Sequence, residues 1–167
     1  NYKSTSSEEQ VLNNTFDWEY DNVKLLKFSG ELLHSVSDNF SLSFAGNYYS
    51  YKLESLEKPW QMPNFDFTVS GIYRPNNQIK FSTDIFIVGK RTALINDYSS
   101  AFSLAPPVAH EIDMDPIIDM NVGAEYQFSS KLNFFFKLNN FGFQKYEQWL
   151  GYTNRSFNGL AGISYIF

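Results

Sequence analysis

The densest group of titratable and metal-ligating side chains in the sequence is His110-Glu111-Ile112-Asp113-Met114-Asp115. Alternating hard oxygen donors could hold a calcium ion, and Glu111, Asp113 and Asp115 are the residues it would use. The run lacks the glycine and distal glutamate of an EF-hand loop. It reads more simply as an acidic, solvated external loop, so no metal and no cofactor is expected. His34 has no second histidine near it in sequence, which favours a structural role. Acyl-transfer chemistry would need a serine, a histidine and an acid gathered at one rim. Those residue types are present, yet no Gly-x-Ser-x-Gly turn occurs, and the chain is not expected to be an enzyme. With no cysteine, disulfides, thiol nucleophiles and Cys-ligated zinc are excluded. A net charge of -5 and the absence of a basic stripe weigh against a nucleic-acid partner.

The remaining chemistry is that of surfaces. Tyr48, Tyr49, Tyr51, Trp60 and Trp149 could stack on sugars or on a protein partner, although aromatic belts at a membrane boundary use the same residue types. Their placement depends on extended segments, which the sequence marks by alternation. Phe16, Trp18 and Tyr20 alternate with acids in a first strand from about Val11. A second strand runs from about Val23 to Val36, a third from Phe40 to about Leu53, and a fourth from Asn64 to Arg74. Ile79 to about Lys90, Ile117 to Phe128, Lys131 to about Phe141 and Phe157 to Phe167 complete eight. The segment 91–116, with Pro106-Pro107, Pro116 and the acidic run, reads as the longest irregular stretch, and 142–156 as a second loop.

Alternation separates two surfaces. Lys27, Glu31, Asp66, Lys80, Asp84, Asp119, Glu125 and Lys137 fall opposite the apolar positions. Eight charged groups could not all tolerate lipid, where a midplane lysine alone costs about 2–4 kcal/mol. They are expected to face a wet or mutually paired lumen. Asp21-Asn22 makes a short turn after the first strand; of the later connections, those after the second, fourth and sixth strands are short and those after the third, fifth and seventh long. That asymmetry places the short turns and Phe167 on the periplasmic side of an outer-membrane barrel. Phe40, Tyr73, Tyr126, Phe128, Tyr165 and Phe167 then gather at one interface as an aromatic girdle.

Composition agrees with this class. In 167 residues 19% are aromatic, and no uninterrupted apolar run is long enough for a membrane helix. The expected fold is all-β: a transmembrane antiparallel barrel of about eight up-and-down strands, with residues 1–167 as one unit. A soluble β-sandwich, which would hide its apolar faces internally, and a complete eight-stranded barrel remain open readings. The start Asn1-Tyr2-Lys3 carries neither an initiator methionine nor a secretion signal, so more of the polypeptide is expected upstream.

Several stretches resemble the carboxy-terminal strands of TonB-dependent-receptor-like outer-membrane barrels. They are Asp119 to Tyr126, Leu138-Asn139-Asn140, Lys145-Tyr146-Glu147-Gln148-Trp149-Leu150-Gly151-Tyr152, and the aromatic-ended strand closing at Phe167. Lys58-Pro59-Trp60-x-x-Pro63 and Gly89-Lys90-Arg91 are similar too. The resemblance implies a larger receptor of the Gram-negative outer membrane, of which this is the carboxy-terminal barrel segment. Its partners would be membrane lipid and the upstream strands and plug of the same protein, and its role uptake of a nutrient or other ligand. No stretch matches a plug or an energy-coupling box. The alternative is a non-transporting barrel that scaffolds an envelope complex with protein or lipoprotein partners.

Overall fold

The computed structural model describes residues 20–97, 108–154 and 156–167. Its main body is a seven-stranded antiparallel sheet. In chain order the members are β1 (Lys24–Ser37), β2 (Phe40–Lys52), β3 (Phe65–Tyr73) and β4 (Ile79–Val88), then β7 (Ile117–Gln127), β8 (Leu132–Asn139) and β11 (Asn158–Tyr165). Each pairs with its neighbour in sequence order, the up-and-down pattern expected from alternation alone. Seven of the eight expected strands are therefore present within a few residues of their expected bounds. The first, around Phe16 and Trp18, lies outside the described residues.

The expectation of an irregular stretch at 91–116 is corrected. Arg91–Asp97 forms β5 and Val108–Met114 forms β6, an antiparallel hairpin separate from the main sheet. Thr92, Ile95 and Ile112 favour extended backbone, whereas the proline and serine signals dominate the sequence as read in bulk. The second long loop likewise carries a small hairpin, β9 (Glu147–Trp149) with β10 (Tyr152–Thr153).

Short turns at one end of the sheet are closed by their own small polar side chains. Asn76 Oδ1 accepts from the backbone N–H groups of Gln78 and Ile79, both at 2.9 Å. Ser129 Oγ accepts from Lys131 and Leu132 N–H, and Ser37 Oγ from Asn39 N–H. Such local bonds favour a turn over continued strand.

Register then fixes the faces, because side chains directly opposite across antiparallel strands share a side. Phe28, Leu32, Phe44, Tyr48, Phe65, Phe67, Val69, Ile85, Ile87, Met120, Val122, Phe134, Phe136 and Ile163 all fall on one side. Phe65, Phe67, Phe134 and Phe136 are 36–47% exposed, so no second layer covers them among the described residues. A sandwich would have buried these residues. The sheet is open, with β1 and β11 as its edges among the described residues. Ala93, Met114 and Ile117 are the buried apolar side chains described, and all lie in or beside the β5–β6 hairpin.

Candidate functional site

All eight charged residues singled out by alternation lie on the face opposite the exposed aromatics, by register. Neighbouring strands bring several of them together. Lys80 Nζ donates to Glu125 Oε1 at 2.9 Å across the β4–β7 pair. Asp66 accepts from Asn47 Nδ2 and from the Tyr49 hydroxyl, both at 2.7 Å, while Asn47 Oδ1 accepts from Ser29. Asp84 accepts from Ser70 Oγ at 2.6 Å. Lys27 Nζ lies 5.5 Å from the centre of the Tyr49 ring, which stacks with Tyr51. Asp119 accepts from the Tyr146 hydroxyl at 2.8 Å, and its other oxygen is buried without a partner among the described residues. Glu31 and Lys137 share this face but make no ion pair among the described residues. A shallow hollow of about 300 Å³ lies between Ser29, Glu31, Ala45 and Asn47. Leu25, Leu33, Ile72, Phe86, Val88, Phe135 and Leu160 interrupt this polarity. The Phe135 ring covers Gly162, where an added Cβ would collide with Cζ.

The aromatics expected at one interface occupy the short-turn end of the apolar face. Phe40 and Tyr73 meet edge to face at 6.4 Å, as do Tyr126 and Phe128, and Tyr165 and Phe167 approach to 5.1 Å. Phe81, not anticipated in this group, stacks on Tyr73 at 6.4 Å. The other aromatic set divides. Tyr48 lies on the apolar face and Tyr49 and Tyr51 on the polar one, while Trp60 sits in the connection before β3 and Trp149 ends β9.

At the opposite end the three long connections form one assembly. Gln61, at a left-handed φ of 59°, donates its N–H to Thr92 O at 2.7 Å and accepts from Leu150 N–H through Oε1 at 3.0 Å. Lys58 pairs with Glu111, which raises the lysine pKa. Arg91, only 5% exposed, donates to the carbonyls of Gln148 at 2.6 Å and Glu147 at 2.8 Å. Burial lowers its pKa while Glu147 acts in the opposite sense. Asn140, with φ of 51° and 2% exposure, donates through Nδ2 to Gln144 O and accepts from Gln144 N–H. Burial, then the bond to Asp119, raises the Tyr146 pKa. Asp21 accepts from the N–H groups of Leu56, Ser55 and Glu54; these bonds bring its pKa down to about 2. A pocket of about 370 Å³ opens between Leu56, Trp60, Leu94 and Glu111.

The acidic run is corrected from a loop to a strand. Glu111 and Asp113 occupy one face of β6, engaged by Lys58 and Thr92 Oγ1 respectively, while His110 falls on the opposite face and Asp115 lies beyond the strand end. Among the described residues no group of three or more His, Asp or Glu is placed to hold a metal. The sequence reading does not single out Arg91, Gln61 or Gln144 as site residues. The one available signal is the position of Arg91 in the Gly89-Lys90-Arg91 stretch, just where apolar alternation ends.

No protein-family model and no curated protein matches the sequence. Solved structures do. A chain in the FpvAI–pyocin S2 complex superposes with a TM-score of 0.73 at 12% identity, covering 87% of this chain and 19% of that one. The ferripyoverdine receptor of the outer membrane of Pseudomonas aeruginosa, bound to ferripyoverdine, gives 0.72 at 12% identity, covering 87% and 20%. The chain has the fold of a wall segment of a TonB-dependent-receptor-like outer-membrane barrel. The ferric enterobactin receptor PfeA of Pseudomonas aeruginosa, as its R480A mutant with enterobactin, gives 0.61 at 14% identity, covering 82% and 22%. The chain thus spans about a fifth of the length of these receptors. Against this fold the open sheet is an arc of barrel wall, with β1 and β11 as its edges among the described residues.

Proposed function

We propose that this chain forms part of the wall of an outer-membrane receptor barrel that takes up a nutrient or other ligand. Its apolar face meets lipid, and its polar face lines the lumen against a plug of the same protein. Further strands of that protein complete the edges at β1 and β11. The long-loop assembly lies outside the cell, and Phe167 sits at the periplasmic boundary. The observation that carries this reading is the division of faces. One side bears five acids and three lysines within the strands, while the other bears lysine only at its rim, at Lys24 and Lys52. Strands of 9–11 residues, as in β3, β4 and β7, suit a hydrocarbon layer crossed at a tilt.

The test is deletion of the gene, followed by uptake assays with labelled iron chelates, oligosaccharides and peptides. Loss of uptake of one class, restored by the intact gene, supports the receptor reading. Undiminished uptake of every class, with stoichiometric co-purification of envelope subunits, would transfer the assignment to a scaffold.

A further inference from the structure

The ribbon formed by β1 and β2 carries two features on its apolar face that the receptor reading does not use. Lys24 stands directly across from Lys52 at the long-loop end. Like charges opposite each other destabilise a strand pair. The nearest acids in the chain are engaged elsewhere: Glu54 accepts from Asn22 Nδ2 at 2.7 Å, and Asp21 caps the 54–56 backbone. Among the described residues the ion pairs join Lys58 to Glu111 and Lys80 to Glu125, so neither rim lysine has one there.

Six residues down the same ribbon, about 20 Å at the rise of a strand, Gly30 stands opposite Gly46. This leaves a notch in a face otherwise filled by Phe28 and Tyr48 above and Leu32 and Phe44 below. Among the described residues a side chain at Gly30 would meet nothing within 4 Å, while Phe67 closes the Gly46 side, with Cδ2 at 3.0 Å from an added Cβ. A cationic pair at the boundary and an apolar recess below it match an amphiphile bearing phosphate above and acyl chains below.

We infer that the β1–β2 ribbon is a specific docking site for a phosphorylated glycolipid of the outer leaflet. Its phosphate lies across Lys24 and Lys52, and an acyl chain rests in the Gly30–Gly46 notch. Phosphate relieves the lysine repulsion, and the acyl chain fills a gap that would otherwise forgo dispersion contacts. The inference rests on the proposed orientation, in which the long-loop end is external.

The full-length receptor is placed in nanodiscs of neutral phospholipid containing a small fraction of diphosphorylated lipid A, and retained lipid is counted by native mass spectrometry. The expected result is one retained lipid A per receptor. K24E/K52E should weaken retention at least about thirtyfold, from roughly 1 kcal/mol for each lysine lost at a charged lipid surface, with repulsion by the new carboxylates adding to it. Gly30→Phe, which keeps both charges, should weaken it severalfold. Inorganic phosphate at the same concentration should not compete. Unchanged retention in K24E/K52E overturns the site, as does an equal loss in the control K90E. Undiminished retention in Gly30→Phe, or competition by free phosphate, overturns the amphiphile. Lys90→Cys, labelled in intact cells by an impermeant maleimide, reports orientation separately. Its failure to label refutes the receptor reading's topology whatever the lipid count.

Discussion

Two lysines at adjacent positions of β3 test the assignment of faces. Val69 is the central residue of the nine in that strand, with Phe44 and Ile85 as its cross-strand neighbours on the apolar face. Thr68 is next in sequence but lies on the polar face, between Ala45 and Phe86, with Asp66 and Asp84 nearby. In hydrocarbon Val69→Lys places an ammonium near the midplane, at about 2–4 kcal/mol. Thr68→Lys puts the same charge in a polar setting beside two carboxylates and should cost under about 1 kcal/mol. The difference is therefore at least about 1–3 kcal/mol for a shift of one residue. Reversible urea unfolding of the full-length protein in bilayers reads it directly. With a slope of roughly 1–3 kcal/mol/M, the Val69→Lys midpoint should fall by about 0.7–4 M and that of Thr68→Lys, at the same slope, by at most about half as much. Equal costs, or a larger cost at Thr68, would refute the division of faces and with it the barrel.

Other consequences concern the loop assembly and the last strand. Arg91→Ala leaves the carbonyls of Glu147 and Gln148 without their charged donor. Bonds from a charged donor contribute about 1.5–3 kcal/mol each. Allowing for partial rehydration, the pair should lose about 3 kcal/mol, and hydrogen-exchange protection over residues 147–153 should fall about a hundredfold. Arg91→Lys, a point charge without the planar fork, should recover only part of it, and unchanged protection in Arg91→Ala would refute the clamp. Asp21 has a folded pKa of about 2 against an ordinary aspartate value of 3.8, so its stabilisation of the 54–56 backbone is fully present above about pH 4 and lost as pH falls through about 2. The amide shifts of labelled Ser55 and Leu56 should titrate with that low midpoint, and a midpoint near 3.8 would disprove the cap. Gly162→Val must displace the Phe135 ring and should cost about 1–3 kcal/mol in the same unfolding assay. Adding Phe135→Ala should relieve the clash, and a double variant no more stable than Gly162→Val would show that the contact is not the cause.

The main sheet is legible in the sequence because each strand obeys one rule, alternation, over eight or more residues. Phe65 to Tyr73 shows it most plainly, and its register follows from the tight turns at Asn39 and Asn76. The polar residues can be assigned to one face for the same reason. The β5–β6 hairpin is not legible, because its strands are seven residues long and flank prolines. The loop assembly is hidden for a different reason. Arg91 and Gln61 act through backbone carbonyls and N–H groups far away in sequence, such as Gln148 O and Leu150 N–H. A bond to a backbone group leaves no requirement on the partner's side chain, so no residue pattern announces it.

That construction bears on how the long-loop end would serve the proposed receptor. If the three long connections were held mainly by exposed ion pairs such as Lys58 with Glu111, their arrangement would soften with salt and contribute little order. Instead the buried guanidinium of Arg91 and the amide of Gln61 join β5, β9 and the 53–64 connection through backbone groups. The packed Ala93, Met114 and Ile117 lie in or beside the same hairpin. Loops ordered before a ligand arrives lose less conformational freedom when it binds. The carboxylates of Glu57 and Asp113 are left outside these backbone ties. A surface built this way can vary its side chains without loosening its frame, which is the property that the proposed receptor mouth would require.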